Sequence, residues 1–325
     1  MNEFQRAEYE HHARYFRNLP GVRAGYQGHE VMLHPDEVRA NFNPLHADAI
    51  RDFFRYSDHE GAQEIGWHTR SNHGASSQAC CVNFLFPMAR DPALLSRWVD
   101  HVMDIEGAEV QPIDRRCGKD WHLTFEWFPA VDYLNEANSK GARTRGANST
   151  SVDAALRYVH DGKSNLLLVE WKYTESYGSK RTSSHERGDE TRERRYANLW
   201  RRPHGPVRID APVRLSDFFL DPWYQLLRQQ MLAYHCEVDP LADFDRVTVL
   251  HVSPSGNTGL KEAKGKLREK TGKSKVFEAF VDLLEPAFRD RFRAIDTETA
   301  FAFPAFAESC NSHAWLQSRY PSLIP

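Results

Sequence analysis

The feature that most constrains this chain is an Asp161-Gly162 pair set between two β-rich runs, Thr150–Val159 and Asn165–Tyr173. Asp-Gly readily takes the left-handed backbone that a tight two-residue hairpin turn demands, so the two runs are predicted to fold back on each other as antiparallel strands. With those two residues as the loop, His160 faces Lys163. Counting back from there, Asp153 faces Glu170 and Ser151 faces Lys172. Side chains alternate along a strand, so Lys172 shares a face with Glu170. The sequence thus places two carboxylates and an ammonium on one side of one hairpin. A four-residue loop would preserve this pairing, whereas a three- or five-residue loop would shift it by one position.

Leu166-Leu167-Leu168-Val169, just before Glu170, is apolar on both faces. A central strand covered on both sides reads this way. Like charges opposed across a ladder are destabilising, so Asp153 and Glu170 need compensation. Lys172 supplies part of it, and a hard cation would supply the rest. Oxygen ligands on a rigid hairpin suit Mg²⁺, which keeps several waters and takes one or two carboxylates. The competing reading is a buried ion-pair cluster without chemistry, since such networks are common.

The 325 residues, 41% hydrophobic and 27% charged, suffice for one elaborated domain or two. A net charge of −3 excludes a global polycation, so any polyanionic partner must meet a local positive field. Five cysteines, two of them adjacent, form neither a disulfide framework nor CxxC metal spacing and fit a reducing compartment. The first sixteen residues are charged throughout, unlike a signal peptide. The most apolar stretch, Ala79–Ala89, is too short to span a bilayer. A soluble, cytoplasmic protein without a membrane partner is expected.

Along the chain, residues 1–60 read as helical or irregular. Residues 76–103 read as a helix broken near Pro87 and a second starting at Asp91-Pro92, and 120–128 as strand-like. Residues 176–214, rich in charge and proline, read as a surface insertion. Asp221-Pro222 is expected to cap a helix running to about His235, Arg246–Val252 to form a buried strand, and 276–294 an amphipathic helix. Gly272-Lys273-Ser274 mimics the end of a phosphate loop, but Leu267 stands where that loop needs glycine.

Ser151-Val152-Asp153, a hairpin, then Leu167-Leu168-Val169-Glu170-Trp171-Lys172 resemble the D…(D/E)xK signature of the PD-(D/E)XK nuclease superfamily. Val152 replaces the usual proline before the aspartate. Gln230 and Tyr234, one helical turn apart, resemble the Q-x-x-x-Y motif of RecB-like members. The resemblance implies an α/β, restriction-endonuclease-like αβββαβ core: a central mixed sheet flanked by helices, with N-terminal and C-terminal helical elaborations. The expected division is an elaboration over 1–75, the core over 76–260 with its insertion at 176–214, and a helical extension over 261–325. It further implies that Asp153 and Glu170 bind Mg²⁺ or Mn²⁺, that Lys172 lies beside the attacking water, and that Gln230 helps orient Lys172 or the substrate strand, supported by Tyr234. Glu136 is preferred over Glu126 as the upstream acid completing the site, because it precedes the basic run Arg143-Thr144-Arg145.

The implied activity is metal-dependent hydrolysis of phosphodiester bonds in nucleic acid, with DNA favoured over RNA, in restriction, repair or defence. Arg143, Arg145, Arg194, Arg195, Arg201 and Arg202 are candidate phosphate contacts, the last four interleaved with Tyr196 and Trp200. A second basic run carries Lys261, Lys264, Lys266, Arg268, Lys270, Lys273 and Lys275 against Glu262 and Glu269. The rival readings are a catalytically silent nucleic-acid-binding module and a protein-interaction factor that keeps the fold. Oligomeric state is left open, a homodimer among the options.

Overall fold

A computed structural model describes residues 1–55, 65–68, 70–143, 148–177 and 183–324. Helices α1 (Glu3–Arg17), α2 (Ala47–Arg55), α3 (Ser77–Leu85) and α4 (Pro92–Met103) come first. Strands β1 (Glu109–Gln111), β2 (Asp114–Arg116), β3 (Lys119–Trp121), β4 (Thr124–Trp127), β5 (Val152–His160) and β6 (Lys163–Trp171) follow. Then come α5 (Ser183–Tyr196), α6 (Trp223–Val238), β7 (Arg246–Ser253), α7 (Gly265–Thr271), α8 (Val276–Leu283) and β8 (Phe292–Asp296). The chain closes with α9 (Thr297–Ala300), α10 (Pro304–Ser309) and α11 (His313–Arg319).

The central sheet is mixed, in the order β1-β5-β6-β7-β8, with β4 also paired to β5. β5 and β6 form the expected hairpin in the expected register, from Ala154 opposite Val169 to His160 opposite Lys163. Asp161 and Gly162 take φ of 50° and 71° at its turn, which is why this pair of residues suits the position. From β6 the chain crosses through α6 to β7, which runs parallel to β6, and β8 runs parallel to β7. The order helix, β4, β5, β6, α6, β7 is that of an αβββαβ core.

Alternation along the strands divides the interior into two apolar cores. Ala154, Leu156, Leu167, Val169 and Leu250 face one way, toward α2, α3, α4 and the C-terminal residues. Ala155, Leu166, Leu168, Val247 and Val249 face the other way, toward α6 and α8. Both faces are covered, which explains the unbroken apolar run of β6.

Several expectations need adjusting. The insertion is more than surface: it carries α5, and Tyr196, Trp200 and Val207 are buried in the α6-side core. The helix expected over 276–294 stops at Leu283, and a 3₁₀ turn (Pro286–Arg291) and β8 complete that span. Apolar residues are frequent enough there to mimic helical periodicity. The C-terminal part therefore contributes a strand to the sheet as well as helices. α6 forms as expected, but no side chain caps its start, whereas Asp91 does cap α4 by accepting from Leu94 N at 2.9 Å. Among the described residues no helix is long and apolar enough to cross a membrane.

Candidate active site

The site lies where β5 and β6 leave their shared ladder. One step beyond the Ala154–Val169 pair brings Asp153 alongside Glu170, and Asp153 Oδ2 accepts the Trp171 N–H at 2.7 Å. Lys172 Nζ stands 2.5 Å from Glu170 Oε1, and the Lys172 N–H donates to Val252 O on β7 at 2.9 Å. Glu170 and Lys172 thus pair beside α6, and Asp153 lies near enough for its charge and theirs to act on one another. Helix α6 lays two amides over Glu170: Gln225 Nε2 donates to Oε1 at 2.5 Å, and Gln229 Nε2 donates to Oε2.

The electrostatics are those of two acids sharing one cation. Burial, and next the charge of Glu170, push the Asp153 carboxyl well above the usual carboxylate range; Lys172 and the Trp171 N–H pull the other way. Burial works against the Lys172 ammonium, yet the nearby acids, Glu170 foremost, raise it well above an ordinary lysine. Lys172 therefore stays charged, and Asp153 resists ionisation unless more positive charge arrives.

That donor set fits a divalent cation. A second cation would offset the burial and the Glu170 charge that push the Asp153 carboxyl up, and Asp153 Oδ1 accepts no hydrogen bond among the described residues. No three His, Cys, Asp or Glu side chains among the described residues converge as a preformed metal cage. An ion held here would draw the rest of its shell from water and substrate oxygen, as Mg²⁺ commonly does.

Of the two upstream acids, the structure brings Glu126 toward Asp153. On β4, Phe125 pairs with Ala154 and Trp127 with Val152, so Glu126 lies between them at the level of Asp153. Its backbone takes a positive φ of 52°, and its charge adds to the upward pressure on Asp153. Gln78 Nε2 donates to its Oε1 at 2.7 Å. Glu136 belongs to a different network. Its Oε1 accepts from Thr150 Oγ1 at 2.8 Å, from Tyr196 OH at 2.7 Å and from Arg228 at 2.9 Å, and its Oε2 accepts the Thr150 N–H. Glu136 fastens the segment entering β5.

Gln230 and Tyr234 do not reach the acids. The Gln230 amide is fully buried without a hydrogen-bond partner among the described residues, and Tyr234 OH donates to Pro203 O at 3.0 Å. Gln225 and Gln229, themselves one helical turn apart, occupy the face turned to Glu170. His251, which no sequence motif singles out, also lies at the site. It lies beside Glu170 in the β6–β7 register, is 1% exposed, and neither ring nitrogen has a partner among the described residues. Burial first, then Lys172 and Lys261, push its pKa down to about 3, so it is neutral. The available signal was its position in β7, which follows from counting the parallel strands from the helix crossover.

The predicted phosphate contacts are mostly engaged elsewhere. Arg143 donates to the carbonyls of Pro129, Ala130 and Val131 and packs over Phe128. Arg195 donates to Glu136 O, Arg201 to Ala211 O and Val213 O, and Arg202 lies 4.0 Å from Glu285. Arg194 is exposed and has no partner among the described residues, and Arg145 lies outside them.

Neither a search of curated proteins nor one of solved structures returned a match. A family profile described as "Restriction Endonuclease associating with ARP" matches residues 6–321, nearly the whole chain, and it spans every residue of the site described above. The chain belongs to this restriction-endonuclease-associated family, REase-ARP.

Proposed function

We propose that this chain is a divalent-metal-dependent nuclease of the PD-(D/E)XK type, acting on nucleic acid with DNA favoured. The observation that carries the reading is the meeting of Asp153, Glu170 and Lys172 at one end of the β5–β6 hairpin, with one open carboxylate oxygen. Asp153 and Glu170 would hold Mg²⁺ or Mn²⁺. Such an ion lowers the pKa of bound water and polarises a phosphoryl oxygen. Lys172, kept cationic by Glu170, would stand beside the attacking water and the negative charge that develops on the phosphate. Gln225 and Gln229 would fix the rotamer of Glu170, and Glu126 would add negative potential beside Asp153. The family description supports a restriction role and an association with ARP, so the chain would cut as part of such an assembly.

One observation favours a second reading, a silent nucleic-acid-binding module: donors from Lys172, Gln225 and Gln229 already occupy both Glu170 oxygens. Incubation with circular DNA, linear DNA and RNA, with Mg²⁺ or Mn²⁺, separates the two. Under the nuclease reading at least one polymer is degraded, only with metal, and Lys172→Ala lowers the rate at least about 100-fold, the scale expected for losing a group that stabilises transition-state charge. Equal background cleavage by wild type and Lys172→Ala removes it.

A further inference from the structure

Residues 261–275 carry seven cations against two acids, in a chain whose net charge is −3. The structure anchors this segment as a ridge on the α6-side core. Ala263 N donates to Ser274 O at 2.8 Å and Val276 N to Lys261 O at 2.9 Å, while Ala263, Leu267 and Val276 are buried in the α6-side core. Three of the cations are paired to acids outside the ridge: Lys261 with Asp296, Lys270 with Asp217, and Lys273 with Asp282. The other four, Lys264, Lys266, Arg268 and Lys275, have no ion pair or side-chain hydrogen bond among the described residues, and all but half-buried Lys264 are exposed. Glu262 and Glu269 neutralise none of them.

The ridge is joined to the active site. Trp223, the first residue of α6, donates its indole N–H to Lys264 O at 2.9 Å, and two residues further on Gln225 binds Glu170. Lys261 is also one of the charges acting on His251, the neighbour of Glu170 on β7. A cationic segment with four unpaired charges, hydrogen-bonded to the first residue of the helix whose Gln225 binds Glu170, suits a repeating polyanion.

We infer that the ridge over residues 261–275, through Lys264, Lys266, Arg268 and Lys275, is the surface that grips the phosphate backbone of a nucleic acid and leads it to the Asp153–Glu170–Lys172 centre. The identity of the polymer rests on the proposed function; the surface itself follows from the charges and their anchoring. Backbone contacts release condensed counterions, so the binding constant falls with salt in proportion to their number. The ridge, rather than the arginines of the 176–214 insertion, then sets that dependence.

The test is fluorescence anisotropy of a labelled DNA duplex with the full chain in EDTA, where cleavage cannot intrude, over a range of KCl. The expected result is that Lys264→Gln, Lys266→Gln, Arg268→Gln and Lys275→Gln together weaken binding by about tenfold or more at moderate salt. They also flatten the log–log salt slope by roughly 3 to 4, one contact per cation. Arg194→Gln serves as the insertion control and changes both far less. The side chains point outward, and the melting temperature checks that the fold survives; Lys266→Gln with Arg268→Gln alone gives about half the slope change. Wild-type binding that persists with an unchanged slope in the quadruple variant overturns the surface alone. A wild type that binds no nucleic acid contradicts both surface and nuclease. A ridge effect without any metal-dependent cleavage leaves the surface standing and removes the nuclease reading.

Discussion

Glu136 is a buried acid held in a hydrogen-bond network of its own. Both of its oxygens accept hydrogen bonds, from Thr150, Tyr196 and Arg228, which tie it to the segment entering β5. Glu136→Ala would strand the Thr150 N–H and the Tyr196 hydroxyl, and chemical denaturation should register a loss on the order of 3 kcal/mol, as when a buried charged network loses a member. A change near zero would show that the network is not structural. A second residue, His73, ties stability to pH. Its Nδ1 accepts the Ala75 N–H at 3.1 Å, which requires the neutral ring. Burial, with help from Arg70 and His29, holds its folded pKa down to about 4. The unfolded chain takes up that proton near the ordinary value of about 6.5. The His73 contribution is therefore complete above that value and is lost as pH falls from about 6.5 to about 4. His73→Gln should flatten the melting temperature across that window, and an identical pH profile would refute the assignment. At this scale the sequence made the β5–β6 register legible, because a short turn converts residue counting into geometry. It misled on Glu136, chosen for its nearness to arginines in sequence, because the β4–β5 register that brings Glu126 beside Asp153 has no local signal. It misled on Gln230 for a related reason: three glutamines lie on α6, and helical periodicity cannot say which stripe faces the sheet.

Among the elements, α1 was the least legible and holds the segment just beyond the site. Asn2 caps it in a reciprocal box with Gln5, whose amide donates to Thr174 O at 2.8 Å and Glu175 O at 3.1 Å. Glu8 and His12 both meet the Tyr173 hydroxyl, directly after Lys172. Such contacts span more than 160 residues of sequence, so no local pattern could announce them. Phe16 fits against Gly74 so closely that a Cβ there would lie 2.7 Å from the Phe16 ring and 2.9 Å from His12 Cβ. Gly74→Ala is expected to cost about 1–3 kcal/mol by overpacking, and Phe16→Leu in the same chain should recover part of it. A double-mutant cycle measures the coupling; strict additivity would mean that the two positions do not press on each other.

For the whole molecule, alternation and turn chemistry carried the mixed sheet, its hairpin and the β6–α6–β7 crossover, while the peripheral packing was not readable. The N-terminal and C-terminal residues share one core with α3, α4 and β5, so they are part of the same folded unit as the site. That arrangement agrees with a family match running from residue 6 to residue 321. The whole structure brings two carboxylates and a lysine together at the end of a hairpin and leaves one carboxylate oxygen open, and the central claim is that this is a cation site. Titration of the full chain with Mn²⁺, followed by electron paramagnetic resonance, tests it most directly. One saturable site should appear, weakened at least about tenfold by Asp153→Asn, as loss of a charged ligand implies, and unchanged by Glu136→Gln. No saturable site, or one that Asp153→Asn leaves intact, would contradict it.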